Sequence, residues 1–361
     1  MKYIDEFRDK ELIMKLAERI KKSVKREYTF MEVCGGHTSS IHRFGIPSLL
    51  PEGIRLISGP GCPVCVTGTD FIDKAIAYSV KQEFIITTFG DLIRVPGSLS
   101  SLEKERAAGA DIRVVLSGLE ALNIARMNTD RKVIFLGIGF ETTAPGTAVT
   151  IRQASKAGID NLFLLSAHKI MPPAMEVIIN DGIRLNGFIC PGHVAAITGS
   201  AAFGFIPQNH KLGCVIAGFE PVDIVQSILM LINMVNRDMP DVEIQYRRAV
   251  TTGGNKIAQD QMNRVFEYSD VQWRGFGIIP SSGLKLRREF ERYDAEKVFP
   301  VDVKFQEDNR LCICGDILRG LKTPSECPLF ANICSPNNPV GACMVSNEGA
   351  CNTYYKYRIN E

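Results

Sequence analysis

Six of the eleven cysteines lie between Cys312 and Cys351, a density that an ordinary reduced core has no use for and that points to metal or redox chemistry. Cys312, Cys327, Cys334 and Cys351 follow the spacing C-x14-C-x6-C-x16-C, and Cys314 and Cys343 form a further pair. Four thiolates can hold a cubane iron-sulfur cluster or a structural zinc. Zinc is usually announced by C-x2-4-C knuckles, which this segment lacks. Long irregular gaps punctuated by Pro324, Pro328, Pro336 and Pro339 suit a cluster gripped by loops. The expectation is a 4Fe-4S cluster on those four cysteines, with Cys314 and Cys343 as a redox-active dithiol beside it. The bland reading of that pair is small buried hydrophobes.

Three further groups could do chemistry. Cys62-Pro63-Val64-Cys65 is a C-x-x-C dithiol preceded by Gly59-Pro60-Gly61, and a helix over residues 71–79 would lend it a stabilising dipole. Such a motif serves thiol redox chemistry or half of a zinc site, and no second half follows nearby. Cys34-Gly35-Gly36-His37-Thr38 offers one thiol, two glycines that admit close approach, and an imidazole three residues on. A lone cysteine is more often filler, and a Cys-His pair could be a hydrolase nucleophile and base, but a cysteine-rich tail is of no use to a hydrolase. Glu141, with Thr142 and Thr143, and the bases His168, Lys169 and His193 complete the set; each alone is as easily a cap or a satisfied core group. No G-x-G-x-x-G or G-x4-G-K-[ST] stands between a strand and a helix, which argues against phosphate binding.

The elements that must position these side chains are strands of an α/β protein. Short β-branched or aromatic runs are expected as strands at 30–33, 54–58, 84–88, 112–116, 133–138, 162–166, 187–189 and 214–217, each followed by a turn and a plausible helix. Their continuous apolar character suits parallel sheets covered on both faces. Nearly every reactive residue falls just beyond a strand, where doubly wound sheets build their sites. Eight strands divide into two units of four, and the break at Met127-Asn128-Thr129-Asp130 suggests a first domain over 30–125 and a second over 126–240. Residues 1–29 and 241–361 are left for a third, cluster-bearing domain. Within it, a strand is expected at 242–246, a helix at 255–267, a turn-rich stretch over 273–283 and a short charged helix over 284–293.

With 361 residues, 45% of them hydrophobic, the chain can bury a sizeable core. Forty-two Lys and Arg against forty Asp and Glu leave no field to recruit nucleic acid or an anionic membrane. Residues 1–25 read as an amphipathic helix with a solvated basic end, not a signal peptide, and the apolar runs are too short to span a bilayer. A cytoplasmic protein, where clustered thiols stay reduced, is expected.

Taken together and in order, these motifs resemble the HypD family of NiFe-hydrogenase maturation factors over essentially the whole chain. The resemblance rests on the Cys34-to-Thr38 and Gly59-to-Cys65 motifs, Arg94-Val95-Pro96-Gly97, the Gly139-to-Pro145 turn, His168-Lys169, Pro191-Gly192-His193, Gly218-Phe219-Glu220-Pro221, Ser282-Gly283-Leu284-Lys285 and the tail ending in Glu348-Gly349-Ala350-Cys351. The first motif departs from the family in having Ser39 where a second histidine is common. The resemblance implies two Rossmann-like α/β domains and a third holding the 4Fe-4S cluster. It also implies a scaffold on which a transiently held mononuclear iron acquires cyanide and carbon monoxide as an Fe(CN)2CO group. The expected partners are a HypC-type chaperone sharing the iron with Cys34, a HypE-type cyanide donor and, through HypC, the hydrogenase large subunit; by itself the chain is expected to be a monomer. On this reading Cys34 is an iron ligand, His37 a second ligand or a donor to one, Cys62 and Cys65 a proximal dithiol, Cys314 and Cys343 a second dithiol, and Glu141 and His193 handle protons or orient ligands. The competing readings are a cluster-dependent thiol-disulfide oxidoreductase working through Cys62 and Cys65, and a zinc-stapled interaction module.

Overall fold

The computed structural model describes residues 5–303, 309 and 311–358. All eight expected strands form, as β1 (Tyr28–Glu32), β2 (Ile54–Ser58), β3 (Phe84–Thr88), β4 (Ile112–Val114), β5 (Lys132–Gly139), β6 (Leu162–His168), β7 (Gly187–Pro191) and β8 (Gly213–Ala217), with a short ninth, β9 (Val242–Ile244). They build two wholly parallel sheets, one in the order β2-β1-β7-β8-β9 and the other in the order β4-β3-β5-β6. Strands β3, β5, β7 and β8 are buried along most of their length, as apolar runs in a sheet covered on both faces require.

The sheets do not follow the division of the sequence at residues 125 and 126. The chain lays down β1 and β2, crosses to build the whole of the β3-to-β6 sheet, and returns to finish the first sheet with β7, β8 and β9. Residues 84–168 are therefore one unit inserted within another. Hydrophobic periodicity reports that a segment is a strand, but which strand becomes its neighbour is decided by pairing between segments more than a hundred residues apart. Relative to their own chain order, both sheets share the 2-1-3-4 arrangement of a flavodoxin-like doubly wound fold, with its reversal between β1 and β7 in one and between β3 and β5 in the other.

The N-terminal helix Lys10–Ser23 does not join a third domain. Its Leu16 and Ile20 pack on the long helix Pro221–Arg237, against the first sheet, in a cluster with Phe30, Ile189 and Val215. The stretch over 273–283 is likewise not loose: β10 (Phe266–Trp273) and β11 (Gly277–Leu286) form an antiparallel hairpin with a register shift between Ser269 and Val271. The hairpin docks on the second sheet, where Ile170 N–H donates to the Ser282 carbonyl at 2.7 Å and Ser166 Oγ to the Leu284 carbonyl at 2.9 Å. Trp273, wholly buried, donates from Nε1 to Ser282 Oγ at 2.8 Å, which explains why a Gly- and Ser-rich segment is ordered. The expected charged helix over 284–293 is instead the end of β11 followed by the 3-10 turn Arg288–Tyr293. The cysteine tail ends in the helix Ala350–Arg358, in which the Tyr354 ring meets His42 edge-on at 4.6 Å. Among the described residues, no helix is long and apolar enough to cross a membrane.

Candidate functional site

The two strand-order reversals face each other. A cleft of about 360 Å³ is lined by Cys34 after β1, Pro191 and His193 at the end of β7, Phe89 and Asp91 after β3, and Gly139, Thr142 and Thr143 after β5. Gly61, Pro63 and Val64 close one side, and Ser346 and Glu348 of the cysteine tail close another. Crevices beyond the carboxyl ends of strands at such reversals are where doubly wound sheets bind ligands, and here two of them share one space.

Cys34 stands at the N-terminus of the helix Gly35–Arg43, half-buried on the cleft wall, where the Gly36 and His37 amides donate towards its sulfur. Burial first, and then the Glu348 carboxylate, outweigh those amides and push the thiol up to about 12, so by itself it holds its proton at neutral pH. Two glycines allow the crowding around it. A Cβ on Gly61 would come within 2.3 Å of the Cys34 backbone, and one on Gly35 within 2.4 Å of Glu348. Gly35 N–H donates to the Gly61 carbonyl at 3.0 Å, joining the Cys34 turn directly to the C-x-x-C turn.

His37 does not line the cleft. It is wholly buried behind Cys34, with Nε2 donating to the Gly218 carbonyl at 3.0 Å, and its ring is stacked on Phe219 at 4.6 Å. Burial lowers its pKa to about 4, so the ring is neutral, and its Nδ1 has no hydrogen-bond partner among the described residues. His193 stacks on Phe219 at 4.0 Å and does reach the cleft, its pKa lowered by burial. Phe219, between two imidazoles, sets the plane of both. Glu141 also lies behind the wall. Its Oε1 accepts the Met171 amide at 3.1 Å, at the start of the helix Met171–Asn180, while Oε2 has no hydrogen-bond partner among the described residues. Burial raises this carboxyl to about 7. His168 is a satisfied core residue between Thr147 and Ser166, held neutral by burial, which takes its pKa down to about 3. Lys169 is buried, donating to the Gln272 carbonyl at 2.7 Å over the Trp273 ring, and burial lowers it to about 8.

The C-x-x-C occupies a single-turn helix of its own, Pro63–Val66, and Cys62 caps it, accepting the Cys65 amide at 3.3 Å; the dipole expected from a helix near residue 71 belongs to the separate segment Thr69–Ser79. From here the thiols run inward. Cys65 contacts Cys62 on one side and Cys343 on the other, Cys343 lies 2.7 Å sulfur to sulfur from Cys314 and also meets Cys351, and Cys314 meets Cys312. Cys312, Cys314, Cys327, Cys334, Cys343 and Cys351 all line one recess walled by Ile317, Leu329, Phe330 and Met344. Among the described residues, no three His, Cys, Asp or Glu side chains are gathered as a site for a single ion. Six thiols around an apolar recess are instead a donor set of the soft, shielded kind that an iron-sulfur cluster uses, so the residues present fit that group.

Three cleft residues carried no role in the sequence reading: Asp91, Ser346 and Glu348. Ser346 Oγ donates to Asp91 Oδ2 at 2.9 Å, and burial, then Asp91, raise the Glu348 carboxyl. Their signals were present in the Gly90-Asp91 turn beyond a strand and in the Glu348 placed three residues before a cysteine.

A HypD-family sequence profile, described as "Hydrogenase formation hypA family", matches residues 11–358. The chain belongs to the HypD family. It is 46% identical over 99% of its length to the hydrogenase maturation factor HypD2 of Bradyrhizobium diazoefficiens and, over the same share, to the HypD of Azotobacter vinelandii, covering 97% of each. The HypD of Escherichia coli K12 is 41% identical over all of this chain and 99% of its own. Membership makes this a hydrogenase maturation factor.

Proposed function

We propose that the chain is the scaffold on which the iron of a NiFe-hydrogenase active site acquires cyanide and carbon monoxide, and that it supplies reducing equivalents to that assembly. The observation that carries this reading is the placement of Cys34 in a cleft whose far side leads, through Gly61, into an unbroken series of thiols. The iron is cargo. Cys34 is its ligand from this chain, and because the free thiol is protonated, taking up a cation would release that proton. A HypC-type chaperone would supply a second thiolate through the open mouth, and a HypE-type donor would deliver cyanide there. His193 faces the iron's space and orients or protonates ligands. His37 and Glu141 act from behind the wall, His37 by holding the Phe219 stack and Glu141 by holding the start of the helix Met171–Asn180.

A 4Fe-4S cluster is the resident cofactor in this reading, held by Cys312, Cys327, Cys334 and Cys351, and it would supply single electrons. The chain's own dithiols carry pairs: Cys314 and Cys343 can pass them to Cys62 and Cys65 by exchange through a Cys343–Cys65 mixed disulfide, since those two sulfurs are already neighbours. Thiols kept reduced in this way suit the cytoplasm. The same series of thiols would serve a cluster-dependent thiol-disulfide oxidoreductase without any mononuclear iron. An infrared spectrum of the chain co-purified without oxygen with a HypC-type partner separates the two. Bands of metal-bound cyanide and carbonyl that vanish in Cys34→Ala support the scaffold; an empty window in an iron-replete brown complex supports the oxidoreductase.

A further inference from the structure

The Gly218-Phe219-Glu220-Pro221 turn beyond β8 is pinned from behind by a chain of polar groups that acts on the cleft without lining it. Asp223 is wholly buried in the first turn of the helix Pro221–Arg237, and both of its oxygens are engaged. Oδ1 accepts from Gln245 Nε2 and from Arg248 Nη1, each at 2.8 Å, and Oδ2 accepts from Arg248 Nη2 and from the Glu220 amide at 3.1 Å. An ionised carboxylate only accepts, so Gln245, placed directly after β9, must turn its amide nitrogen towards Asp223. That leaves Oε1 to accept the Gly218 N–H at 3.1 Å. The N–H and C=O of a trans peptide point opposite ways, so holding this N–H aims the Ala217 carbonyl at His37, whose Nε2 lies 3.3 Å from it and 3.0 Å from the Gly218 carbonyl. Both partners of Nε2 are carbonyls, which places the proton of the neutral His37 ring on that nitrogen. A Cβ on Gly218 would stand 2.3 Å from Asp223 Oδ2, so glycine is what lets the turn come this close. Arg248 also lies over the Tyr246 ring at 4.5 Å, and Tyr246 meets Phe219 edge-on at 5.9 Å.

We infer that Gln245, fixed by Asp223 and Arg248, is a positioning residue for the iron cleft, and that it sets the plane in which the His193 ring meets the iron's ligands. The part played at the iron rests on the scaffold reading; the clamp itself does not. Gln245 holds the peptide that precedes Phe219, the Ala217 and Gly218 carbonyls hold the His37 ring, and Phe219, stacked on His37, presents its other face to His193. Without the Oε1 acceptor the buried Gly218 N–H is left unpaired, and only a shift of the backbone relieves it. That shift turns the carbonyls away from His37 and tilts Phe219.

The test uses the full-length, iron-loaded chain under argon, with its five histidines isotopically labelled for nuclear magnetic resonance and assigned by single substitutions. In the unsubstituted protein His37 should favour the Nε2–H tautomer by about tenfold or more, since the other tautomer leaves a buried carbonyl unpaired. The His193 ring protons should carry the upfield displacement that stacking on Phe219 imposes. Gln245→Met, which removes the acceptor at similar volume, should bring the His37 tautomers within about threefold of each other and abolish the His193 displacement. Gln245→Glu should restore both signals, because a protonated carboxyl still accepts from Gly218 and donates to Asp223. Arg248→Lys keeps a cation but loses the two-pronged grip on Asp223, and as the milder variant it should move both signals the same way. Histidine signals unchanged in both Gln245→Met and Arg248→Lys overturn the clamp. In the complex with a HypC-type partner, the infrared bands of metal-bound cyanide and carbonyl should shift or broaden in Gln245→Met and return in Gln245→Glu; bands identical to the unsubstituted complex, with the histidine signals moved, overturn the positioning role at the iron. If the unsubstituted complex shows no such bands while the histidine signals respond as expected, the scaffold reading fails and the clamp stands.

Discussion

Glu141→Gln should change how the stability of this protein depends on pH, in a sense that its burial dictates. Glu141 is 1% exposed, accepts the Met171 amide, and is raised by burial from an ordinary 4.5 to about 7. Below about pH 4.5 the carboxyl is protonated in both folded and unfolded chains and contributes no difference. Between about 4.5 and 7 the unfolded chain ionises while the folded one keeps its proton, so stability falls as pH rises. Above 7 both are ionised and the full cost is present. Two and a half pH units at 1.36 kcal/mol each make that cost about 3 kcal/mol. Glutamine keeps the oxygen that accepts from Met171 and cannot ionise, so the variant should match the unsubstituted protein near pH 4.5 and exceed it by about 3 kcal/mol at pH 8. Urea unfolding of the reduced full-length chain, followed by the fluorescence of its one tryptophan, is the assay. Trp273 stacks on Phe140 at a centroid distance of 6.0 Å and so reports from beside the substituted residue. Curves for the two proteins that stay parallel within about 0.5 kcal/mol from pH 4.5 to 8 would refute the argument, because Glu141 would then be equally charged in both states.

Further outcomes are expected from the crowding and from the thiols. Gly61→Ala drives a methyl group into the Cys34 backbone, which cannot rotate away, and should cost about 3 kcal/mol by thermal unfolding; Gly146→Ala, in an exposed helical position with nothing within 4 Å, should gain about 0.5 to 1 kcal/mol. Cys327→Ser should lower tightly bound iron by about four atoms per chain and bleach the brown colour, and retention of both would remove Cys327 from the cluster set.

Much of the site was legible in residue types and their positions beyond strands. Cys34, His193 and the Gly139 turn were expected at strand ends and do meet in one cleft. His37 and Glu141 carry the same chemical promise in sequence, yet both lie behind the wall, His37 because its ring is held by the Gly218 carbonyl and Phe219, and Glu141 because its carboxylate is held by the Met171 amide, partners supplied by distant segments. Asp91 and Glu348 had no partner visible in sequence, since they stand 257 positions apart and are brought together by the tail. The hairpin of β10 and β11 was missed for a different reason: its glycines and serines have weak strand propensity, and burial of Trp273 against Phe140 overrides it.

What the sequence alone determined was local. Runs of β-branched residues set all eight strands of the expected list, the turns after them carried the candidate reactive groups, and the density and spacing of the tail cysteines raised the expectation of a metal or redox module. Those properties depend on neighbours a few residues away, where propensity and periodicity act. Only the tertiary structure decided that residues 84–168 form a sheet of their own inside the other unit, that two strand-order reversals share one cleft, and that Cys65 touches Cys343. Each of these is a choice among long-range pairings that local energetics leave nearly degenerate, and it is the packing of both sheets and the tail into one buried core that selects among them.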